Sequence, residues 1–449
     1  MHVNTTTMPS PRRLIGPFDA TMLVVGSMIG SGIFIVSAES ARQVGTPGRL
    51  LAVWTAAGVM TLLAALSCAE LAVMFPAAGG PYVFFREAYG PMAGFLFGWT
   101  MVLVLQTGTI AAVAVAFAKF LGVLMPTVAG TAAKAVAILV VLVLTGTNAL
   151  GLRVGTRVQN VLTVVKYAAL LALTAGGLLL SKPALPPIAP SGAAPGGVPL
   201  LLAFAVALVG PSFSQSAWTN VTFPGGEVKD PGRTFPVALL AGCLLVATLY
   251  VLANVSYLRV LSFEGVAHAP LDRVGTAAAE AMAPGAGGTM MAGAILVSTF
   301  GCVNGLILSG ARVIYALSAD GLFLQWGAAL NRFGVPGLAL AAQALWACVL
   351  VSSGTYSELL SYVVSVELIV LILLVGAVPV LRHRKPEAPR GYRTWGYPVT
   401  TALFVFLAFV LVVLLAVARP RTTWPGYLLV LAGVPVYLVR TRGRREEPA

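Results

Sequence analysis

Charged side chains are scarce along this chain. They make up 10% of its 449 residues, whereas 58% are hydrophobic and the mean hydropathy is +0.91. A soluble domain carries about a quarter charged residues, so a soluble fold is excluded and an integral membrane protein is expected. Cysteine is equally sparse. Cys68, Cys243, Cys302 and Cys348 all fall inside apolar stretches, which leaves no disulfide framework and no Cys/His zinc spacing. The three histidines, His2, His268 and His383, lie in the tail or in loops, which argues against a histidine proton relay through a membrane. No pair of His, Cys or carboxylates stands at catalytic or metal spacing within the apolar stretches, so no enzyme, metal or cofactor is expected. The net charge of +13 comes from Lys and Arg spread over short loops and the tail, not gathered on one face. That distribution argues against nucleic acid as a partner and for a lipid bilayer.

What is present is a succession of about twelve apolar stretches of about 20 residues, the length that spans a bilayer. The expected spans are 17–37, 50–75, a third opening at Gly90, 135–149, 158–180, a sixth after 199, 235–257 and 290–317, with four more near Gly337, Leu359, Pro398 and Trp424. Arg12 and Arg13 precede a long first stretch with no small-residue cleavage site, which reads as a retained span, not a signal peptide. With the N-terminus inside, the cytoplasmic segments hold about twice as many Lys and Arg as the external ones, so both termini are expected in the cytoplasm.

The first span contains Gly26-Ser27-Met28-Ile29-Gly30-Ser31-Gly32-Ile33-Phe34. Glycine carries a backbone-entropy cost in a helix and serine competes for backbone hydrogen bonds, so the helix is expected to break near Ile29. In hydrocarbon a break is tolerated only where the freed groups face protein or a water-filled cavity. The freed N–H groups of the following half-helix suit a carboxylate, and the carbonyls left at the break suit an ammonium. Close helix packing is the alternative meaning of such small residues. A Gly-rich phosphate loop is excluded, since no Lys-Ser or Lys-Thr pair follows the glycines.

A second break is expected in the sixth span at Gly210-Pro211-Ser212-Phe213-Ser214-Gln215-Ser216-Ala217-Trp218, because proline removes a helical donor and a polar run cannot face lipid. Interrupted helices at corresponding positions of two halves point to an inverted-repeat transporter with its site at the midplane. On the fifth span Asn160, Thr163, Lys166 and Tyr167 share a stripe that must face the bundle interior, although a lysine snorkelling to the interface is the alternative for Lys166. Asn304 interrupts the eighth span. Among embedded carboxylates, Asp19 reads as a helix-start residue and Glu70 as a structural partner for a basic loop residue, while Glu367 lies too deep to dismiss and has no evident partner. Gly90, Gly94 and Gly98 are expected to share a packing face.

Several stretches together resemble the amino acid/polyamine/organocation superfamily, in particular bacterial members of the L-amino-acid transporter branch. These are the first-span motif, Phe75-Pro76 with Gly79-Gly80-Pro81-Tyr82, Glu227-Val228-Lys229-Asp230-Pro231 with Arg233 and Pro236, Gly310-Ala311-Arg312 with Tyr315, Ala316, Asp320 and Gly321, and Tyr392-Arg393 with Trp395-Gly396-Tyr397-Pro398. The resemblance covers nearly the whole chain. It implies an all-α membrane fold of ten core helices in two inverted five-helix repeats plus two further helices, here 17–180, 198–382 and 398–440. It implies alternating-access transport of amino acids, with the carboxylate held by amides around Gly30, Ser31 and Gly32 and the ammonium by carbonyls near Ile29, Phe213 and Ser216. Ser214, Gln215 and Trp218 complete the expected site, and Lys166, Tyr167 and Asn304 are expected to serve coupling or gating. Lys166 matches a lysine that occupies the sodium-site region in sodium-independent members.

The chain departs from relatives in having Gln215-Ser216-Ala217 where an aromatic and two glycines are common, and Thr222 in place of an Asn. An amide at Gln215 either bonds a polar group of the substrate or satisfies the broken backbone. Neither break holds Asp, Glu or Arg, so a neutral amino acid is the expected substrate. Symport with protons and exchange both remain open. The 119–134 stretch has no cysteine, so the disulfide-linked heavy chain of animal relatives is not expected. The rival function is a membrane-embedded amino acid sensor, whose usual sign, a long soluble extension, is lacking beyond Arg440.

Overall fold

The structure is a computed structural model that describes residues 13–76, 79–151, 156–179, 197–319 and 325–445, with the side chains of 156–166, 316, 319, 325 and 441–445 outside that set. Among the described residues every regular element is helical, apart from one isolated bridge between Ile15 and Val228. The helices are α1 (Pro17–Met28), α2 (Val36–Val44), α3 (Pro47–Met74), α4 (Pro81–Tyr89), α5 (Pro91–Thr100), α6 (Thr107–Leu124), α7 (Thr131–Ala149) and α8 (Thr156–Leu179). They continue as α9 (Leu200–Ser214), α10 (Pro231–Ala267), α11 (Val274–Met282), α12 (Gly287–Ala319), α13 (Gly337–Ser353), α14 (Tyr356–Arg384), α15 (Val399–Ala418) and α16 (Pro420–Arg445).

Nine helical segments among the described residues are long and apolar enough to cross a membrane unaided. Two shorter apolar helices, Tyr167–Leu179 and Gly337–Ser353, and the broken α1/α2 pair bring the number to the expected twelve. Local chemistry starts and stops these helices where the sequence allows it. Proline occupies the first turn of α1, α3, α4, α5 and α10, where its missing N–H has no intrahelical role. Thr355 and Glu358 form a reciprocal capping box at the start of α14. Gly90, at φ +99, turns the chain sharply between α4 and α5.

The spans pair across the two halves of the chain: α3 lies on α10, α6 on α12 and α7 on α13, while α1 packs on α10 and α2 on α9. Because the spans alternate in direction, their ends fall on two faces. One, the terminal face, holds the start of α1 and the ends of α3 and α14; the other, the far face, holds the ends of α2 and α10.

Several expectations need correction. The break of the sixth span, expected over 210–218, is narrower than that and lies in its second half: α9 continues through Pro211 to Ser214. Proline leaves the carbonyl four residues earlier without its helical partner, and here the Ser40 hydroxyl of α2 donates to that carbonyl, Ala207, at 2.8 Å. Asn304 does not interrupt its span, because α12 is continuous and the Asn304 side chain accepts a 2.8 Å hydrogen bond from Asn148 of α7. Gly90 does not belong to the packing stripe of the third span but to the turn before it, whereas a Cβ on Gly98 would meet Leu317 of α12. The third span also contains a π-helical turn, Met101–Gln106, that turns the Gln106 amide onto the Leu306 carbonyl (2.7 Å) and the Ser309 hydroxyl (2.8 Å) of α12. Finally, α11 lies between the seventh and eighth spans as an unexpected short helix.

Candidate functional site

The first break runs from Ile29, whose backbone is extended (φ −76, ψ 98), through Ser31 to a single 3-10 turn, Gly32–Phe34, before α2 resumes at Val36. The second runs over Gln215, Ser216 and Ala217 to a 3-10 segment, Trp218–Thr222, with Ala217 in the left-handed region at φ +68. The two breaks touch. A Cβ on Gly32 would lie 3.3 Å from Ser214 Cα and would overlap the Ser214 side chain, so only glycine permits this approach.

The backbone groups at the breaks divide by type. The N–H groups of Ser31 and Gly32 find no acceptor among the described residues, and that of Gly30 lies against the Tyr250 hydroxyl. A Cβ on Gly30 would meet nothing within 4 Å, so its backbone borders open space. On the acceptor side, the carbonyls of Ile29 and Ser216 likewise receive no donor among the described residues, while the Phe213 carbonyl accepts from the Ser216 amide (3.2 Å) and hydroxyl (2.8 Å). Ser214 Oγ donates back to Gly210 O at 2.9 Å, and Trp218 is buried beside the break. Donors on one break and acceptors on both, at the meeting point of two helix ends, match the two ends of a zwitterion.

One side chain points elsewhere. Gln215 does not face the first break; its amide donates to the Trp54 carbonyl of α3 at 3.4 Å, and its Oε1 lies toward Gly58 of the same helix. With its neighbours Ser212, Ser216 and Trp218 it lines a small cavity behind the sixth span, closed by Ala57, Met60, Thr61 and Ala64 of α3, Val364, Glu367, Leu368 and Leu371 of α14 and Phe404 of α15. Of the two roles open to this amide, the arrangement favours bonding to backbone, that of α3, where a helix carbonyl is within reach.

Tyr167 reaches the first span, its hydroxyl standing 3.0 Å from where a Cβ on Gly26 would be. The side chain of Lys166 lies outside the described residues, as do those of Asn160 and Thr163. Asn304 is joined to Asn148 and has no hydrogen bond to either break among the described residues.

Sequence reasoning missed the clamp that holds the first break open. Tyr250 donates to the Met28 carbonyl at 3.0 Å and Tyr257 to the Ile33 carbonyl at 3.4 Å, so two otherwise orphaned helix-end carbonyls are satisfied from α10. Between them Asn254 accepts from the Ser37 hydroxyl at 2.7 Å. Positions 250, 254 and 257 share one helical face, and that polar stripe inside an apolar span was the available signal.

Away from the breaks several charges are paired. Glu70 accepts two hydrogen bonds from Arg382 (2.9 and 2.7 Å) and two more from the Thr394 amide and hydroxyl (both 2.7 Å), as expected for a partner of the basic loop. On the far face Glu39 binds Arg419 (2.8 Å) and Ser357 (2.6 Å), and Arg42 and Lys119 both reach Asp272 (2.8 and 3.5 Å). These contacts tie the outer end of α2 to the helices around it.

Comparison with known proteins agrees with this geometry. A family model described as amino acid permease matches residues 15–437. The serine/threonine exchanger SteT of Bacillus subtilis (strain 168) is 27% identical over 95% of this chain and 96% of its own length. The large neutral amino acids transporter small subunit 2 of Homo sapiens is 30% identical over 95% of this chain and 80% of its own, and the Asc-type amino acid transporter 1 of Mus musculus 28% over 95% and 81%. With both breaks and nearly every span inside the matched region, the chain belongs to the amino acid permease family of the amino acid/polyamine/organocation superfamily, and is a multi-pass membrane transporter, not an enzyme.

Proposed function

We propose that this chain moves neutral amino acids across a bacterial inner membrane by alternating access, without sodium. The observation that carries the reading is the meeting of the two breaks at Gly32 and Ser214, with unclaimed amides at Ser31 and Gly32 and unclaimed carbonyls at Ile29 and Ser216. An α-carboxylate sits on the former and an α-ammonium on the latter, with Trp218 bordering the site. The absence of any Asp, Glu or Arg from either break supports a neutral side chain, because an unpaired charge there would be costly. The named activities of the relatives, serine/threonine exchange and large-neutral-amino-acid transport, support the same class.

In this reading residues 17–180 and 198–382 are inverted repeats, supported by the matched pairing of α3 with α10, α6 with α12 and α7 with α13, and 398–440 adds two outer helices. Lys166 stands in for a bound cation beside the first break, with Tyr167 next to it, and Asn304 with Asn148 stiffens the scaffold on which gating occurs. Both termini lie in the cytoplasm, and no disulfide-linked heavy chain is needed. A membrane-embedded sensor is not favoured.

The test is counterflow in proteoliposomes. Vesicles loaded with unlabelled L-serine or L-leucine should accumulate the labelled amino acid equally in sodium and potassium buffers, and external arginine or glutamate should compete poorly. Better competition by a charged amino acid, or a steep sodium dependence unaltered by Lys166→Ala, would overturn the substrate class or the role given to Lys166. Cysteine labelling that finds the loop 385–398 outside the cell would overturn the orientation.

A further inference from the structure

Among the described residues of the membrane core, Glu367 is a carboxyl left over. It sits within α14, lines the cavity behind the sixth-span break, and makes no hydrogen bond or ion pair among the described residues. Other carboxylates of the helices are engaged: Glu70 pairs with Arg382 and Glu39 with Arg419, while Asp19 accepts from the Gly16 amide and Glu358 from the Thr355 amide at the starts of their helices. The elements packed around this cavity bring it no charged or titratable group, since α3, α9, the 3-10 segment after it and α15 contribute only apolar residues, Thr61, Ser212, Gln215, Ser216 and Trp218. Of the titratable groups elsewhere on α14 and its neighbours, Tyr89 of α4 donates to Leu373 O, Tyr427 of α16 to Val412 O, Tyr362 to Leu103 O, and Lys385 pairs with Glu87, while the Tyr356 hydroxyl of α14 and the Cys68 thiol of α3 are buried and do not line the cavity.

A second observation points to the same place. Gln215 is 1% exposed, and its Oε1 is buried without any donor. The cavity is thus lined by a carboxyl with no cation and by a glutamine whose amide oxygen has no donor among the described residues. A charged carboxylate in apolar surroundings without a partner is strongly disfavoured, whereas a protonated one is neutral and is itself a donor. Intramembrane carboxyls of this kind serve proton relays.

We propose that Glu367 is the proton carrier of this transporter, so that one proton crosses with each neutral amino acid. The inference rests on the transport reading above and decides between symport and obligatory exchange. A proton from bulk water on one side neutralises Glu367 while the cavity is open to that side. The neutral carboxyl is compatible with the closed cavity, and opening to the other side releases the same proton to bulk water there. Gln215, Ser216 and Trp218 belong to both the cavity wall and the broken helix, so the charge on Glu367 bears directly on the segment that holds the substrate. A two-state element biased by both proton and substrate is what coupling requires.

The test uses the full chain in proteoliposomes with radiolabelled L-serine and L-leucine. With an acidic exterior, the wild type should accumulate label against its gradient, and substrate addition should acidify the lumen as read by a trapped pH dye. In Glu367→Gln the ratio of gradient-driven uptake to counterflow should fall at least tenfold and the lumenal acidification should vanish. Glu367→Asp, which keeps a carboxyl, should recover both in part. Undiminished pH-driven accumulation in Glu367→Gln, or no pH drive in a wild type that performs counterflow normally, would overturn the proposal. Lysine or arginine displacing the label only when Glu367 is present would also overturn it, making the carboxylate a substrate partner. Failure of counterflow for every neutral amino acid would instead count against the substrate reading itself.

Discussion

At Gly32 the two breaks meet, and the contact depends on a missing side chain. Gly32→Ala places a methyl group into Ser214, and because that neighbour is anchored through its hydroxyl to Gly210 O, it cannot swing aside freely. Counterflow should fall at least tenfold in Gly32→Ala while the protein still reaches the membrane, and Gly32→Ala/Ser214→Gly should regain part of it. No recovery in the double variant would mean that the loss has another origin. Gln215→Leu makes a contrasting case. Since its amide engages Trp54 and not the space between the breaks, uptake of serine and of alanine should decline together, and a selective loss of serine would contradict the observed orientation. At this scale the sequence was legible where backbone chemistry decides, as at Gly30 and Gly32, because glycine and serine in an apolar span have few other meanings. It was illegible where a rotamer decides: nothing at position 215 announces whether its side chain turns toward α1 or α3.

Among elements, the sixth span shows how a proline is carried inside a membrane helix. The sequence leads one to begin the break at Gly210-Pro211 because the lost hydrogen bond is local and visible, but the group that repairs it, Ser40, is 167 residues away in the contact that donates to Ala207. Ser40→Ala would leave that carbonyl unsatisfied at a cost of about 1–3 kcal/mol. A lowered melting temperature in detergent is the expected readout, and Pro211→Ala in the same background should restore it by returning an N–H to the helix. The span count and the existence of both breaks were readable from hydropathy and glycine content, whereas α11 and the π-helical turn at Met101–Gln106 arise from packing that no local pattern records.

The short helix α4 shows a pH-dependent link. Its Glu87 carboxyl is held below the usual carboxylate range, chiefly by the 2.6 Å hydrogen bond from Lys385 at the end of α14. A carboxyl whose folded value lies below its unfolded value stabilises the fold above the unfolded value, and that contribution disappears as pH falls through the folded one. Glu87→Gln should therefore lower the melting temperature at pH 7 and lower it by less at pH 3. An equal effect at both values would show that charge is not what matters there.

For the whole molecule, the far face is tied by Glu39 with Arg419 and Arg42 with Asp272, and the terminal face by Glu70 with Arg382 and Glu87 with Lys385 and also by backbone. Leu14 and Ile15 donate to the Glu227 carbonyl at 2.8 and 3.0 Å, and Lys229 donates to the Ile15 carbonyl at 2.9 Å. This joins the entry of the broken first span to the exit of the broken sixth. A short bifunctional crosslinker bridging Ile15→Cys and Val228→Cys should leave transport largely intact if the two segments travel together, and should arrest it if they separate during the cycle. The bridge at Ile15 holds the stretch before α1 to the stretch after Ala217, whereas Gly32 and Ser214 meet beyond the first break and ahead of the second, so each part of the broken first span is clipped to a different part of the broken sixth. Two jointed rods clipped together on either side of a shared elbow bend as a pair: a swing of α1 carries the segment after Ala217 with it, while α2 and α9 can keep their place.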